Sequence, residues 1–288
     1  MSTPGTDTRI EWTRHDNGVV HLALARPDKM NALDSAMFDA LIDAGERLKA
    51  DTGARAVVIS GQGKAFCAGL DMQSFAGMAE RHAEDGSGGP ARTDLAVRTH
   101  GISNAFQHVA MVWREVPVPV IAAVHGVAFG GGLQVALGAD LRLVAPGTRM
   151  SVMEIKWGLV PDMGGMVLLR ELVRADLVRE LTFTGRIVEA EEAVRIGLAT
   201  RLAQDPLAEA LALAGEMAGK SPDAIRAGKG LLNASAALDA AELLMRESVE
   251  QKALIGRPNQ VEAVRANVER RSPRFSAPAA PPEGASEG

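Results

Sequence analysis

Gly130-Gly131-Gly132-Leu133-Gln134 places three glycines and a carboxamide at the end of an uncharged run that begins at Val116. The run from Val116 to Val124 is β-branched and apolar enough for a buried strand, and Gln134 to Gly138 reads as the start of an apolar helix. Glycines between a strand and a helix let backbone N–H groups come close to a ligand, and the helix N-terminus adds a partial positive charge. The chemistry this suits is stabilisation of a developing oxyanion. The same glycines would equally serve close packing of helix on sheet, and the segment alone leaves both readings open. A second segment of similar make-up runs from Val57 to Asp71: a strand, the turn Gly61-Gln62-Gly63, and a helix start that Asp71 would cap. Leu70 there would offer a further exposed N–H.

These segments need a scaffold, and the rest of the chain supplies α/β signals. Ile10 to Thr13 and Val19 to Ala25 flank Asp16-Asn17-Gly18, and an Asn-Gly pair between alternating segments predicts a β-hairpin. Asp34 or Ser35 caps a helix predicted to run to about Ala50, with Met37, Leu41 and Leu48 near one face. Ala54 to Ser60 and Asp140 to Val144 complete a strand, helix, strand order that predicts an α/β core with parallel strands. No short-period repeat is visible. From Pro206 onward helical patterns dominate: Leu207 to Ala218, a Ser221-Pro222 start leading to about Asn233, and Ala237 to Leu254. The expected organisation is a core over residues 1–204, a helical module over 205–275 and a disordered tail over 276–288. The polar stretch between Met78 and Thr93 is expected to be a mobile loop.

Composition narrows the function classes. The 288 residues can bury a substantial core, and a net charge of −5 with both signs interspersed provides no basic stripe for nucleic acid. Pro117, Pro119, His125 and several glycines argue against reading the uncharged stretch from Val116 to Ala139 as a membrane span. The N-terminus, with Asp7, Arg9 and Glu11, has no signal-peptide pattern, and the single cysteine, Cys67, excludes an intrachain disulfide. A cytoplasmic protein is the expectation. No Cys/His cluster at metal-ligand spacing is present, so no metal is expected. Cys67 reads as a small buried residue, and His125 as a hydrogen-bonded core histidine.

Taken together, the Val57 to Asp71 segment, the Gly130 to Gly132 run and Arg26-Pro27-Asp28-Lys29-Met30-Asn31-Ala32-Leu33 resemble the crotonase superfamily, the enoyl-CoA hydratase/isomerase family. The likeness extends from about residue 10 to residue 275 and includes Thr184-Gly185-Arg186, Ala190-Glu191-Glu192-Ala193 and Ile196-Gly197-Leu198. The resemblance implies a spiral of ββα units with a C-terminal helical trimerisation module, assembled as a homotrimer or hexamer. It implies an acyl-CoA thioester as substrate, with no separate cofactor. By position, the N–H groups of Leu70 and Gly131 match the pair that forms the family's oxyanion hole. The resemblance implies that Ala68 and Asp71, near Leu70, and also Gln134 and Trp157 bind substrate, and Lys29 and Lys64 fall where the family often places cations near the CoA phosphates and nucleotide. Either lysine would otherwise be a solvated surface group. Gln73 stands where some hydratases carry a lysine for CoA.

The same resemblance bears on the reaction. Hydratases of the family hold and activate water with two glutamates, whose positions match Gln134 and Glu154 here. A neutral amide hydrogen-bonds a water but does not accept its proton at neutral pH, so two-glutamate hydration is disfavoured. Δ3,Δ2-enoyl-CoA isomerases of the family use a single glutamate at the Glu154 position. Asp162 matches the second acid of the dienoyl-CoA isomerases, whose third acidic position again coincides with Gln134. The expectation is therefore isomerisation of an unsaturated acyl-CoA with Glu154 as principal base and Asp162 as a second acid. Asp162 as a helix cap, or Glu154 paired with Lys156, are the structural alternatives. Trp157 would line an acyl pocket or pack beneath the Glu154 segment. A hydratase using Glu154 alone, with Gln134 orienting water, and a non-catalytic acyl-CoA-binding protein are the competing functions.

Overall fold

The computed structural model describes residues 9–71 and 94–278. Gln73, the loop expected before Thr93 and most of the expected tail lie outside the described residues. The hairpin forms as predicted: β1 (Ile10–Arg14) pairs antiparallel with β2 (Val19–Leu24). Helix α1 (Ser35–Ala50) follows, with Asp34 Oδ1 accepting the Met37 N–H at 2.9 Å as its cap. Met37, Leu41 and Leu48 lose all their exposure, which contributes about 1.5–3 kcal/mol each and anchors this helix to the sheet.

Strands β3 (Ala56–Gly61) and β4 (Val120–Val124) lie parallel to β2. The latter starts later than the Val116 read from sequence, because helix α2 (Ala105–Glu115) runs up to the Pro117 and Pro119 segment, where missing N–H groups prevent ladder pairing. The chain then crosses into a short strand β5 (Val127–Phe129) and helix α3 (Gly131–Gly138), and repeats the pattern with β6 (Leu141–Val144) and β7 (Arg149–Ser151). Helices α4 (Gly165–Leu172) and α5 (Ala175–Thr184), strand β8 (Val188–Glu189), helix α6 (Ala190–Arg195) and strand β9 (Arg201–Leu202) complete the core. The six-stranded sheet has the order β1-β2-β3-β4-β6-β9 and the three-stranded sheet the order β5-β7-β8. Ser60, Ala123 and Leu143 stand side by side in the large sheet, and Cys67, Ala128 and Met150 in the smaller ladder. The chain thus winds as a spiral whose repeat lies in the backbone.

Both faces of the large sheet are covered, which is why its parallel strands are apolar at nearly every position. Val57, Ile59, Val120 and Ala122 face the main core, and Ala56, Val58, Ile121 and Ala123 face a second cluster with Ala210 and Ala214. These alanines belong to helix α7 (Pro206–Ala218), which packs directly on β2, β3, β4 and β6. The helical region thus begins as a layer of the core. Helix α8 (Pro222–Ser235) is tied in by Lys229, whose buried ammonium donates to Trp113 O at 3.0 Å, Val118 O at 3.0 Å and Asp140 Oδ2 at 2.8 Å. Helices α9 (Ala240–Leu254) and α10 (Pro258–Val268) leave Leu244, Met245, Val249, Val261, Val264 and Val268 mostly exposed. No helix among the described residues is long and apolar enough to cross a membrane.

Candidate active site

The two glycine segments meet. Gly69, at φ +93°, lies so close to the other segment that a Cβ there would sit 2.7 Å from Phe129 O and 3.8 Å from Gly131 N. Gly130, at φ +50°, makes the turn into α3, so the helix starts at Gly131, earlier than the Gln134 start read from sequence. No side chain caps it. The flanking residues spend their hydrogen bonds on the scaffold: Leu33 N–H donates to Gly69 O at 2.8 Å, Asp71 N–H to Leu33 O at 3.0 Å, and Gly130 N–H to Ser151 O at 2.9 Å. Among the described residues, no acceptor takes the Leu70 or Gly131 N–H. The packing reading of the glycines holds as well, since a Cβ on Gly132 would lie 2.7 Å from both Cβ and Sγ of Cys67.

Glu154 opens a 3-10 turn (Glu154–Trp157) beside Gly130, where a Cβ would come 3.4 Å from Glu154 Oε1. Gln134, only 2% exposed, projects from α3 and donates from Nε2 to Glu154 Oε1 at 2.6 Å. Its Oε1 accepts the N–H of Met163 and of Gly165, each at 2.9 Å. Glu154 Oε2 is shielded from solvent and accepts no hydrogen bond among the described residues. Burial raises the Glu154 pKa above the ordinary carboxylate range, and the nearby Asp162 charge adds to the rise. Asp162 is accessible to solvent, yet enough protein surrounds it that desolvation raises its pKa too. The structural alternatives for both acids fail: Gly164, not Asp162, is the N-cap of α4, and Lys156 lies over the Trp157 ring at 5.1 Å.

The remaining predicted residues lie on the Pro27–Lys29 turn, the Gly61 to Asp71 segment and the Glu154–Trp157 turn. Lys29 and Lys64 are exposed, on segments that touch where Gly63 abuts Pro27. Ala68 is half-buried and its N–H donates to Met30 O at 2.9 Å. Asp71 is buried and ion-paired with Arg26 at 2.6 Å, and any helix it would cap lies outside the described residues. Trp157 is 41% exposed. His125 Nε2 lies 3.1 Å from Gly63 O, and Cys67 is fully buried, its thiol pushed up to about 12 by desolvation and donating to Asn31 O at 3.1 Å.

Asn31 is the residue that sequence reasoning passed over. Fully buried at φ +54°, it accepts the Arg26 N–H at 2.9 Å and donates from Nδ2 to Gln62 O at 2.9 Å and Ala65 O at 2.8 Å. It thereby braces the Gly61 to Leu70 segment against the Arg26 turn. Its signal was local: asparagine tolerates the left-handed region that a tight turn before a helix cap requires. Elsewhere Glu46, His108 and Glu115 bring their polar atoms within 4.8 Å of one another. Lys49 donates to Glu46 at 3.1 Å and Glu115 at 2.6 Å, so an ammonium already supplies the positive charge a cation would bring. A surface groove lined by Asp16, Arg55, Gly215 and Phe275 includes none of the predicted site residues.

The winding of two sheets with paired glycine segments is the crotonase type of architecture. The crystal structure of an enoyl-CoA hydratase from Bacillus anthracis is similar with a TM-score of 0.82 at 25% identity, covering 93% of this chain and 99% of that one. The sequence matches the enoyl-CoA hydratase/isomerase family over residues 14–278, and the chain belongs to that family of enzymes. It is 34% identical over 224 residues to the mitochondrial Delta(3,5)-Delta(2,4)-dienoyl-CoA isomerase of Mus musculus, covering 76% of this chain and 67% of that protein. It is also 34% identical over 258 residues to the Mycobacterium leprae protein named Probable enoyl-CoA hydratase echA8, covering 88% and 93%.

Proposed function

We propose that the protein is an isomerase of unsaturated acyl-CoA thioesters. The observation that carries this reading is the half-buried Glu154 carboxyl beside the Gly130 turn, whose shielded Oε2 accepts no hydrogen bond among the described residues. The thioester oxygen would sit between the Leu70 and Gly131 N–H groups, which stabilise the negative charge it gains as the C2 proton leaves. Glu154 takes that proton, and the electron pair of the C2–H bond passes into the conjugated enolate. Return of a proton at C4 of a 3-enoyl ester moves the double bond to C2–C3. With a 3,5-dienoyl ester the proton returns at C6, for which Asp162 is the candidate donor. A carboxyl with a raised pKa suits both halves, because it accepts and returns a proton near neutral pH. Lys29 and Lys64 would meet the phosphates of CoA at the rim.

Hydration is the second reading, and the names of the relatives favour it as much as isomerisation. It requires Glu154 to act alone on water, since Gln134 is no base. Ultraviolet absorbance decides between them. Gain of conjugation from 3-enoyl-CoA or rearrangement of 3,5-dienoyl-CoA, lost in Glu154→Gln, supports isomerisation. Rapid loss of absorbance from 2-enoyl-CoA overturns it, and binding without any turnover would mark a non-catalytic acyl-CoA-binding protein. The exposed apolar residues of α9 and α10 support assembly as a trimer or hexamer, which light scattering on the eluting protein measures.

A further inference from the structure

We infer, on the reading that Glu154 carries the proton, that Gln134 is a positioning residue that fixes both acid-bearing segments and leaves Glu154 Oε2 as the one oxygen free to exchange a proton.

The orientation of the Gln134 amide is dictated by its neighbours. Met163 and Gly165 each present an N–H at 2.9 Å, and only the carbonyl oxygen can accept from both. Both lone pairs of Oε1 are therefore committed, and the amino group must face Glu154 Oε1, where it donates at 2.6 Å. A flipped amide would set donors against two donors and an acceptor against a carboxylate. Three consequences follow. Glu154 Oε1 is held by a donor, so protonation is directed to Oε2, which has no partner among the described residues. The turn from Met163 to Gly165 is pinned to α3, and Asp162 immediately precedes it. No acceptor remains on Gln134 for a water, so the two-base geometry that hydration uses is absent in shape as well as in charge. Among the described residues, Asp162 is the one other charged group acting on Glu154, since Lys156 is turned over Trp157.

The test is Gln134→Glu, followed by pH-difference infrared spectroscopy of the carboxylic-acid carbonyl stretch. The Glu154 band is assigned by its loss in Glu154→Gln. A glutamate at 134 keeps an oxygen for the Met163 and Gly165 N–H groups, so the thermal midpoint should stay close to the parent's. Its other oxygen would face Glu154 Oε1 at hydrogen-bond distance, and two carboxylates so placed share one proton. The shared band should titrate about one pH unit or more above that of the parent. If this variant does not fold, Gln134→Met is read instead, and loss of the donor to Oε1 should again move the titration upward. A folded variant whose Glu154 titration matches the parent's overturns the inference. Isomerase assays are read separately: turnover that survives in Glu154→Gln overturns the proton-carrier reading, whereas an unmoved titration in the Gln134 variants overturns only the role of Gln134.

Discussion

Replacing Asn31 by alanine tests whether the Gly61 to Leu70 segment is held from below by one side chain. The substitution removes the acceptor of the Arg26 N–H and the donor to Gln62 O and Ala65 O. Leaving a buried backbone group without a partner costs about 1–3 kcal/mol. Ala65 is fully buried while Arg26 and Gln62 are half-buried, so the three together should cost about 3 kcal/mol rather than the upper limit. Alanine at φ +54° adds about 1 kcal/mol of backbone strain that asparagine largely avoids. A destabilisation of about 4 kcal/mol lowers the thermal midpoint of a chain this long by about 8 °C. Thermal unfolding followed by circular dichroism measures it. Asn31→Gly separates the contributions, because it loses the same hydrogen bonds without the strain and should recover about 1 kcal/mol. An alanine variant within about 2 °C of the parent would refute the bracing argument.

Glu154→Gln should be at least as stable as the parent at neutral pH. A carboxyl whose folded pKa is raised favours the folded state fully below the unfolded value of 4.5 and loses that contribution as pH rises through the higher folded pKa. Denaturation midpoints across that interval should therefore fall with pH less steeply in the variant, and parallel curves would refute the assignment. Gly132→Ala should cost about 1–3 kcal/mol and most of any activity, because its Cβ meets Cys67 and cannot move without displacing the Leu70 segment. Lys229→Met should cost about 3 kcal/mol in urea unfolding, since the buried ammonium serves two carbonyls and Asp140 at once. Cys67, with its thiol pushed up to about 12 and no exposure, should resist thiol reagents at pH 8 until the protein unfolds.

Local signals made much of this architecture legible. Asp16-Asn17-Gly18 and the Asp34 cap acted on their own neighbours, and the hairpin and α1 formed where those residues placed them. The capping box of Asn104 and Gln107, which starts α2, was equally local and went unread. Gly131 as the true start of α3 depends on the φ of Gly130, which the residue type permits but does not require. Gln134 shows the harder limit. Its identity reveals that a base is absent, but its three partners come from Glu154, Met163 and Gly165, brought to it only by the spiral. Asn31 left a local trace in its tolerance of the left-handed turn, but its contacts with Gln62 and Ala65 are set by the fold.

The ladder of the smaller sheet explains why the two proposed oxyanion donors can be fixed without any side chain of their own. Cys67 and Ala128 pair as a parallel bridge, and Leu70 and Gly131 each come three residues after a member of that pair. Phe129 N–H donates to Cys67 O at 3.1 Å, and Cys67 N–H to Val127 O at 3.1 Å, so the register is locked just before the two segments diverge. A slip of one residue would turn the Leu70 or the Gly131 N–H away from the other. Cys67 is thus held on two sides, by this bridge and by its contact with Asn31 O, while Gly132 leaves room for its side chain. The backbone that would stabilise charge is rigid because it continues a sheet, and the Glu154 carboxylate beside Gly130 is directed by a glutamine that can face only one way.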